Sequence, residues 1–432
     1  MTLFLSPWIP LAVMFALAVV ARIIQGSWLA PSAFGGLLWF VYGGVSMATN
    51  EDRVAPSTVW IIAGLIISLQ VGAFLAEEPV NWTKSSRHDR GEKWRVATGS
   101  RLLLLSLVLS LVPLLGVLKF IADGLKKFDL SFSLEGFLSL GGLMYGAFLE
   151  GAPDPWWFRL LRMWIFPAAL LGGLAGALAS TLWQKLLALP SLVSALFLGT
   201  AIASRYGTGL ALICWISGYL SMKAHVSKGR FRIGRSLVLV GTLACGGVIA
   251  MYVALSVVRG HTYADVSEGT TSVRSNLLGY LAVFDDWAQR RAPGDMTLGG
   301  YTLAGVLELS GAKARTPAMD YEEIQLQSGI WSNIYTAWRG LLQDFSLPGA
   351  TVLCFIAGVV AGRAYTRVGS GQTSGIGTLA GYYAFLLWSP IVSIFNYNAV
   401  LLALLVARLA FRIPNNGQGR SRALGARRLA GA

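Results

Sequence analysis

SLVLVGTLACGGVIAMYVALSVV, residues 236–258, contains no charged side chain. As an α-helix rising 1.5 Å per residue, a run of that length covers about 35 Å, enough to cross the roughly 30 Å hydrocarbon core of a bilayer. LLLLSLVLSLVPLLGVL, residues 102–118, is equally free of charge. The rest of the chain shares the bias. Of its 432 residues 55% are hydrophobic and only 13% charged, and the mean hydropathy is +0.60. Soluble domains carry about 25% charged residues, so this composition excludes a soluble enzyme and a disordered protein. Its 50 glycines and 15 tryptophans suit helices that pack closely in lipid and anchor at its surfaces. The expected fold is all-α, a polytopic integral membrane helix bundle.

Eleven spans are expected, at about 7–24, 31–48, 57–77, 102–122, 160–181, 185–204, 206–222, 236–258, 347–364, 375–393 and 396–411. No basic segment precedes the first, so it reads as a helix and not as a cleaved signal peptide. Three segments are rich in positive charge. Residues 84–101 hold Lys84, Arg87, Arg90, Lys93, Arg95 and Arg101; residues 223–235 hold Lys223, Lys228, Arg230, Arg232 and Arg235; the tail holds Arg412, Arg420, Arg422, Arg427 and Arg428. Even numbers of spans separate them, so the positive-inside bias places all three in the cytoplasm and the N-terminus outside. The chain then divides into residues 1–257, a bundle of eight spans; 258–345, a large external loop; 346–411, three further spans; and 412–432, a basic cytoplasmic tail. The loop has seven Lys/Arg against ten Asp/Glu, while the whole chain carries +14. The basic balance thus follows topology and gives no sign of a nucleic-acid partner. Residues 123–160 stay open between an interfacial or re-entrant helix and a tight pair of spans.

Loops as long as 258–345 are usually functional or disordered. Leu277, Leu281, Phe284 and Ala288 fall at helical spacing within 274–291, with Pro293-Gly294 as a stop. A second short helix is expected from Tyr301 to Ser310, ended by Gly311. A third is expected from about Trp331, running on toward the next span, with Tyr335 and Arg339 at i, i+4 on one face. The loop thus reads as a small helical cap, and its acidic stretch 320–323 as a solvated lid.

Arginine is the residue type that stands out. Arg205 sits in Ser204-Arg-Tyr-Gly-Thr-Gly209, between two nearly contiguous spans, on the side where basic residues are disfavoured. A guanidinium there serves as a bidentate phosphate clamp; the plain alternative is an arginine snorkelling to the interface. Arg339, Arg274, Arg290 and Arg291 are available from the loop, the last two also as an ordinary helix end. Asp344 and His261, near the two ends of the loop, are the acid/base candidates. The alternative for Asp344 is a carboxylate favouring the N-terminus of the following span. Cys214, Cys245 and Cys354 lie in apolar runs, and the three histidines are scattered. Neither a disulfide framework nor a metal site is therefore expected. No phosphate loop, dinucleotide fingerprint or serine-hydrolase motif is present, and no cofactor is expected.

Residues 329–349, GIWSNIYTAWRGLLQDFSLPG, resemble the O-antigen polymerase (Wzy-type, oligosaccharide repeat-unit polymerase) family, in which an Asn-x-Tyr-Thr segment leads into an Asp-Phe-Gly-x-x-Gly turn and a span. Asn333, Tyr335, Thr336, Asp344, Phe345 and Gly349 match, and Ser346 stands where glycine is common. Arg205 with Gly207 resembles the family's external arginine turn, and the layout agrees across most of the chain. The resemblance implies a bundle similar to the GT-C-like membrane glycosyltransferases in a bacterial inner membrane. It implies a metal-independent transfer of a glycan from undecaprenyl diphosphate to a sugar hydroxyl on a second lipid-linked repeat unit at the periplasmic face. Arg205 and Arg339 would stabilise the leaving diphosphate, Asp344 or His261 would handle the hydroxyl proton, and Arg274, Arg290, Arg291, Asn333 and Tyr335 would bind substrate. Besides the donor, the acceptor and membrane lipid, a polysaccharide chain-length regulator is an implied partner. The competing readings are an O-antigen ligase, which shares the layout, and a polyprenol-lipid transporter or flippase. Against the transporter, charges gather at interfaces and no internal repeat is visible.

Overall fold

The computed structural model describes residues 6–49, 53–78, 88–149, 155–202, 205–227, 278–290, 296–312, 321–322, 324–326, 329 and 331–412. The first three helices, α1 (Trp8–Gln25), α2 (Pro31–Thr49) and α3 (Pro56–Ala76), pack against one another. Gly26, in the left-handed region at φ 72°, ends α1 and gives its N–H to Arg22 O. Pro31 and Pro56 open the next two, where a missing N–H costs nothing.

The second group holds α4 (His88–Lys127), α5 (Leu134–Leu149), α6 (Trp156–Arg162), α7 (Ile165–Leu178), α8 (Leu182–Leu186), α9 (Pro190–Ala201) and α10 (Arg205–Val226). Of α7, every residue but Phe166 is buried, as expected of a helix apolar all round; α4, α9 and α10 surround it. For residues 123–160, a single 16-residue helix, α5, occupies the apolar stretch. It is too short to span alone and lies against α4 and α9, with Phe137 near Phe197 at 6.3 Å.

Within the loop, α11 (Tyr280–Arg290) and α12 (Ala304–Leu309) stand where helices are expected, and Gly311 follows α12 at φ 73°. The third expected helix does not begin at Trp331. Residues Trp331–Ser332 form a strand, β2, paired antiparallel with β1 (Ile324–Gln325), and the helix starts at Ala337. Its spacing signal, Tyr335 to Arg339, straddles the helix start.

α13 (Ala337–Gly369) has two arms that meet at Ser346, with φ 58° and ψ 177°. The second arm runs along α3. A Cβ on Gly358 would overlap the Leu69 carbonyl, and one on Gly362 the Ala73 carbonyl, so glycine is what allows this close crossing. α14 (Ile376–Trp388) joins the two groups by packing on α10 and α13, and α15 (Asn398–Arg412) closes the bundle against α7 and α14.

Among the described residues, six helical segments are long and apolar enough to cross a membrane: Trp8–Gln25, Pro56–Ala76, Trp94–Lys127, Trp156–Leu178, Leu182–Ala201 and Ala337–Gly369. Helices stand at the other expected spans too, except Ser236–Val258, which lies outside the described residues. On α4 the row Leu104, Val108, Leu111 and Leu115 is 51–66% exposed. An apolar face of that size suits lipid and not water. The chain is a multi-pass, all-α membrane helix bundle.

Candidate functional site

The loop is fastened to one end of the bundle. Tyr280 OH donates to Tyr42 O (2.6 Å), Thr58 Oγ1 to Asp285, Ser393 Oγ to Thr302 O (2.7 Å), and Ala337 N to Ser389 O (2.8 Å). The opposite end carries the flanks of the basic segments: Arg101 donates to Ala410 O (2.8 Å), and Trp94 meets His225 at 5.1 Å.

Arg339 sits at the loop end and is 6% exposed. Its guanidinium carbon lies 3.8 Å from the Tyr335 ring centre, 4.2 Å from that of Tyr321 and 5.2 Å from that of Trp287. The i, i+4 spacing to Tyr335 becomes a stacking contact. Tyr335 OH donates to Glu322 O (3.0 Å), which holds the acidic stretch over the cation. Of the stretch 320–323, Asp320 and Glu323 lie outside the described residues; Tyr321 is buried in this box, while Glu322 is exposed. Desolvation pushes the hydroxyls of Tyr321 and Tyr335 above the usual tyrosine range even beside Arg339, so both are neutral donors at neutral pH.

Charge compensation is thin. Among the described residues the one acid paired with it, Glu322, stands 3.9 Å from Arg339 Nη2 and is 72% exposed. Arg339 Nε and Nη1 have no hydrogen-bond partner among the described residues. Buried donors in that state are uncommon and costly. The buried hydroxyls of Thr302 and Thr336 are unpartnered as well. A Cβ on Gly340 would stand 3.3 Å from the Thr302 hydroxyl and 3.4 Å from that of Tyr321, so glycine lets these groups crowd beside Arg339. Among the described residues this leaves a buried cation with spare donors, walled by rings, an arrangement that can accept an oxyanion.

Asp344 has a different surrounding from the one expected of a base. It is fully buried and accepts from Thr297 Oγ1, from Tyr301 N (3.0 Å) and from Thr302 N (2.7 Å). With both oxygens occupied, it clamps residues 297–302 against α13. This also differs from support of the next helix, since the donors belong to the loop.

Arg205 opens α10, and its side chain lies outside what is described. Its neighbour Tyr206 meets Trp388 at 5.2 Å and Tyr397 at 4.8 Å. Trp388 adjoins Ser389, the residue that holds Ala337, so the Arg205 backbone is at the Arg339 end. Arg290 is exposed and paired with Asp286; it is close enough to act on Tyr335 electrostatically. Asn333 is exposed on the rim. His261, Arg274 and Arg291 lie outside the described residues. Trp287, Tyr321 and Thr302 are site members the sequence did not single out; they are ordinary loop residues until the fold brings them together. Compared with family models, curated proteins and solved structures, the chain finds no match.

Proposed function

We propose that this protein polymerises undecaprenyl-diphosphate-linked oligosaccharide repeat units into O-antigen or a similar polysaccharide. In this reading it is an eleven-span, GT-C-like glycosyltransferase of a bacterial inner membrane, with the loop end periplasmic and the C-terminus cytoplasmic. The observation that carries the reading is Arg339, a buried guanidinium in an aromatic box at the end of the bundle, with two nitrogens, Nε and Nη1, that have no partner among the described residues. In the transfer, the bond from the donor's anomeric carbon to the diphosphate oxygen breaks. An acceptor hydroxyl oxygen bonds to that carbon and gives its proton to water, and undecaprenyl diphosphate leaves with the electron pair. Negative charge then builds on the diphosphate. Fixed donors in a water-poor site stabilise such charge without reorganising. Arg339 supplies them, and Arg205, whose helix begins at the same end, supplies a second contact. Asp344 is a positioning residue, holding Tyr301 and Thr302 beside Arg339.

The test is lipopolysaccharide from cells whose only copy of the gene is a variant. At normal membrane abundance, Arg339→Ala should reduce polymer at least about a hundredfold, the equivalent of about 2–4 kcal/mol of lost transition-state stabilisation, leaving single-repeat glycan. Lysine keeps the charge without the fork, so Arg339→Lys should recover part of the ladder. Normal ladders from Arg339→Ala would falsify the clamp. Accumulation of lipid-linked polymer would instead identify a ligase.

A further inference from the structure

A groove of about 370 Å³ lies between the second arm of α13, α14 and α15. Val360, Phe385, Leu404 and Leu405 line it. Gly377 and Gly381 keep the α14 wall low: a Cβ on Gly381 would stand 3.3 Å from Leu404, and one on Gly377 3.8 Å from the Arg408 Cβ. One end is closed by Phe385 stacked on Phe395, with 5.8 Å between centroids. The other end is marked by Arg408. That end adjoins Ala410, the residue held by Arg101, and so lies on the side away from the loop. The α14 part of the lining runs from Gly377 to Phe385, a rise of about 12 Å, which is a little under half the hydrocarbon thickness of a bilayer.

We propose that this groove is a binding site for an anionic phospholipid, with one acyl chain between α14 and α15 and its phosphate at Arg408. The length stays within one leaflet. A prenyl chain long enough to cross both leaflets would run into the Phe385–Phe395 stack. The charge fits as well. Arg363, Arg367, Arg408 and Arg412 are all exposed at this end, and no carboxylate among the described residues pairs with them. The exposed acid here, Glu78, gives its backbone N–H to Thr366 Oγ1 (3.1 Å) and leaves the balance positive. A guanidinium grips a phosphate in a bidentate fork, and the apolar walls take the chain. Neither depends on the polymerase reading.

Native mass spectrometry of the full chain, titrated with dioleoyl phosphatidylglycerol or dioleoyl phosphatidylcholine, tests the proposal. Phosphatidylglycerol should bind about tenfold tighter, the scale of one charge-assisted contact. Arg408→Gln, at an exposed position, should abolish that preference, weakening phosphatidylglycerol more than phosphatidylcholine, whose choline cation already offsets part of the phosphate charge. Leu405→Trp, also exposed, should weaken both lipids by filling the groove. Equal affinity for the two lipids in the native chain, or a preference that survives Arg408→Gln, overturns the site. So does displacement of bound phosphatidylglycerol by undecaprenyl phosphate that Leu405→Trp abolishes, because the groove would then hold a prenyl tail.

Discussion

A guanidinium stacked on aromatic faces gains attraction through its plane but leaves the N–H groups around its edge to find partners in that plane. Among the described residues the plane around Arg339 is partly vacant, whereas both oxygens of Asp344 are occupied. The two residues should therefore fail differently. Arg339→Ala is expected to lose polymer at near-normal thermal stability. Asp344→Asn removes a charge-assisted acceptor from three donors, and should cost about 2 kcal/mol, seen as a lower melting temperature in detergent as well as reduced polymer. A loss of polymer with an unchanged melting temperature would return Asp344 to a direct chemical role. Arginine charge also needs no metal, so polymerisation by the purified protein should persist in EDTA; loss that magnesium restores would give the diphosphate to a cation. At Ser346 the backbone occupies a region nearly reserved for glycine. Ser346→Gly should relieve that strain and, after the greater unfolded-state freedom of glycine, raise stability by about 1 kcal/mol, measured by the same melt. The site was half legible in the chain. Tyr335 and Arg339 could be paired by spacing, but Trp287 and Tyr321 reach the cation only through tertiary closure, which no local period records.

Helices were legible where apolar runs are long, as at Leu102–Leu118, and illegible where order comes from few residues. The pair β1–β2 has two residues per strand, too few to show alternation. Trp331 therefore reads as the start of a helix, although Gly329 at φ 81° turns the chain back into a hairpin just before it. The break in α13 was half visible: a serine in a glycine position signals a turn, but not that both sides stay helical. The long second arm depends on its fit to α3. Gly358→Leu would force a side chain into the Leu69 carbonyl and should separate these helices, so that little folded protein is recovered from membranes. Gly64, where a Cβ would have open space for 4 Å around it, is the control; Gly64→Leu should be recovered normally.

Across the whole molecule, contacts between distant helix ends sort into two sets, one with the loop and one with the flanks of the basic segments. That separation agrees with the sidedness expected from charge, since spans of alternating direction put alternate connections on the same side. Reporter fusions should accordingly read cytoplasmic after Lys228 and after Arg420, and periplasmic near Gly311. A cytoplasmic signal at Gly311 would place the Arg339 box on the side opposite to the proposed chemistry. Span number was less legible than which connections share an end of the bundle. Glycine-rich α2 and the short α14 and α15 depend on neighbours, not on their own hydropathy.

The fastening of the loop also sets an order in time. Thr302, Ala304, Glu308 and Ala337 are held by Ser393, Asn396, Asn398 and Ser389 in turn. Each of those latches leaves the ribosome tens of residues after the segment it secures. Until α14 and α15 have been threaded into the bilayer, the cap is held to the bundle through α2 and α3, and α12 and the start of α13 lack these latches. The loop of a nascent chain thus gains its last fastenings only late in synthesis. Chains stopped after Gly371 should insert normally, yet be cut within the loop by added protease under conditions that spare the full-length protein.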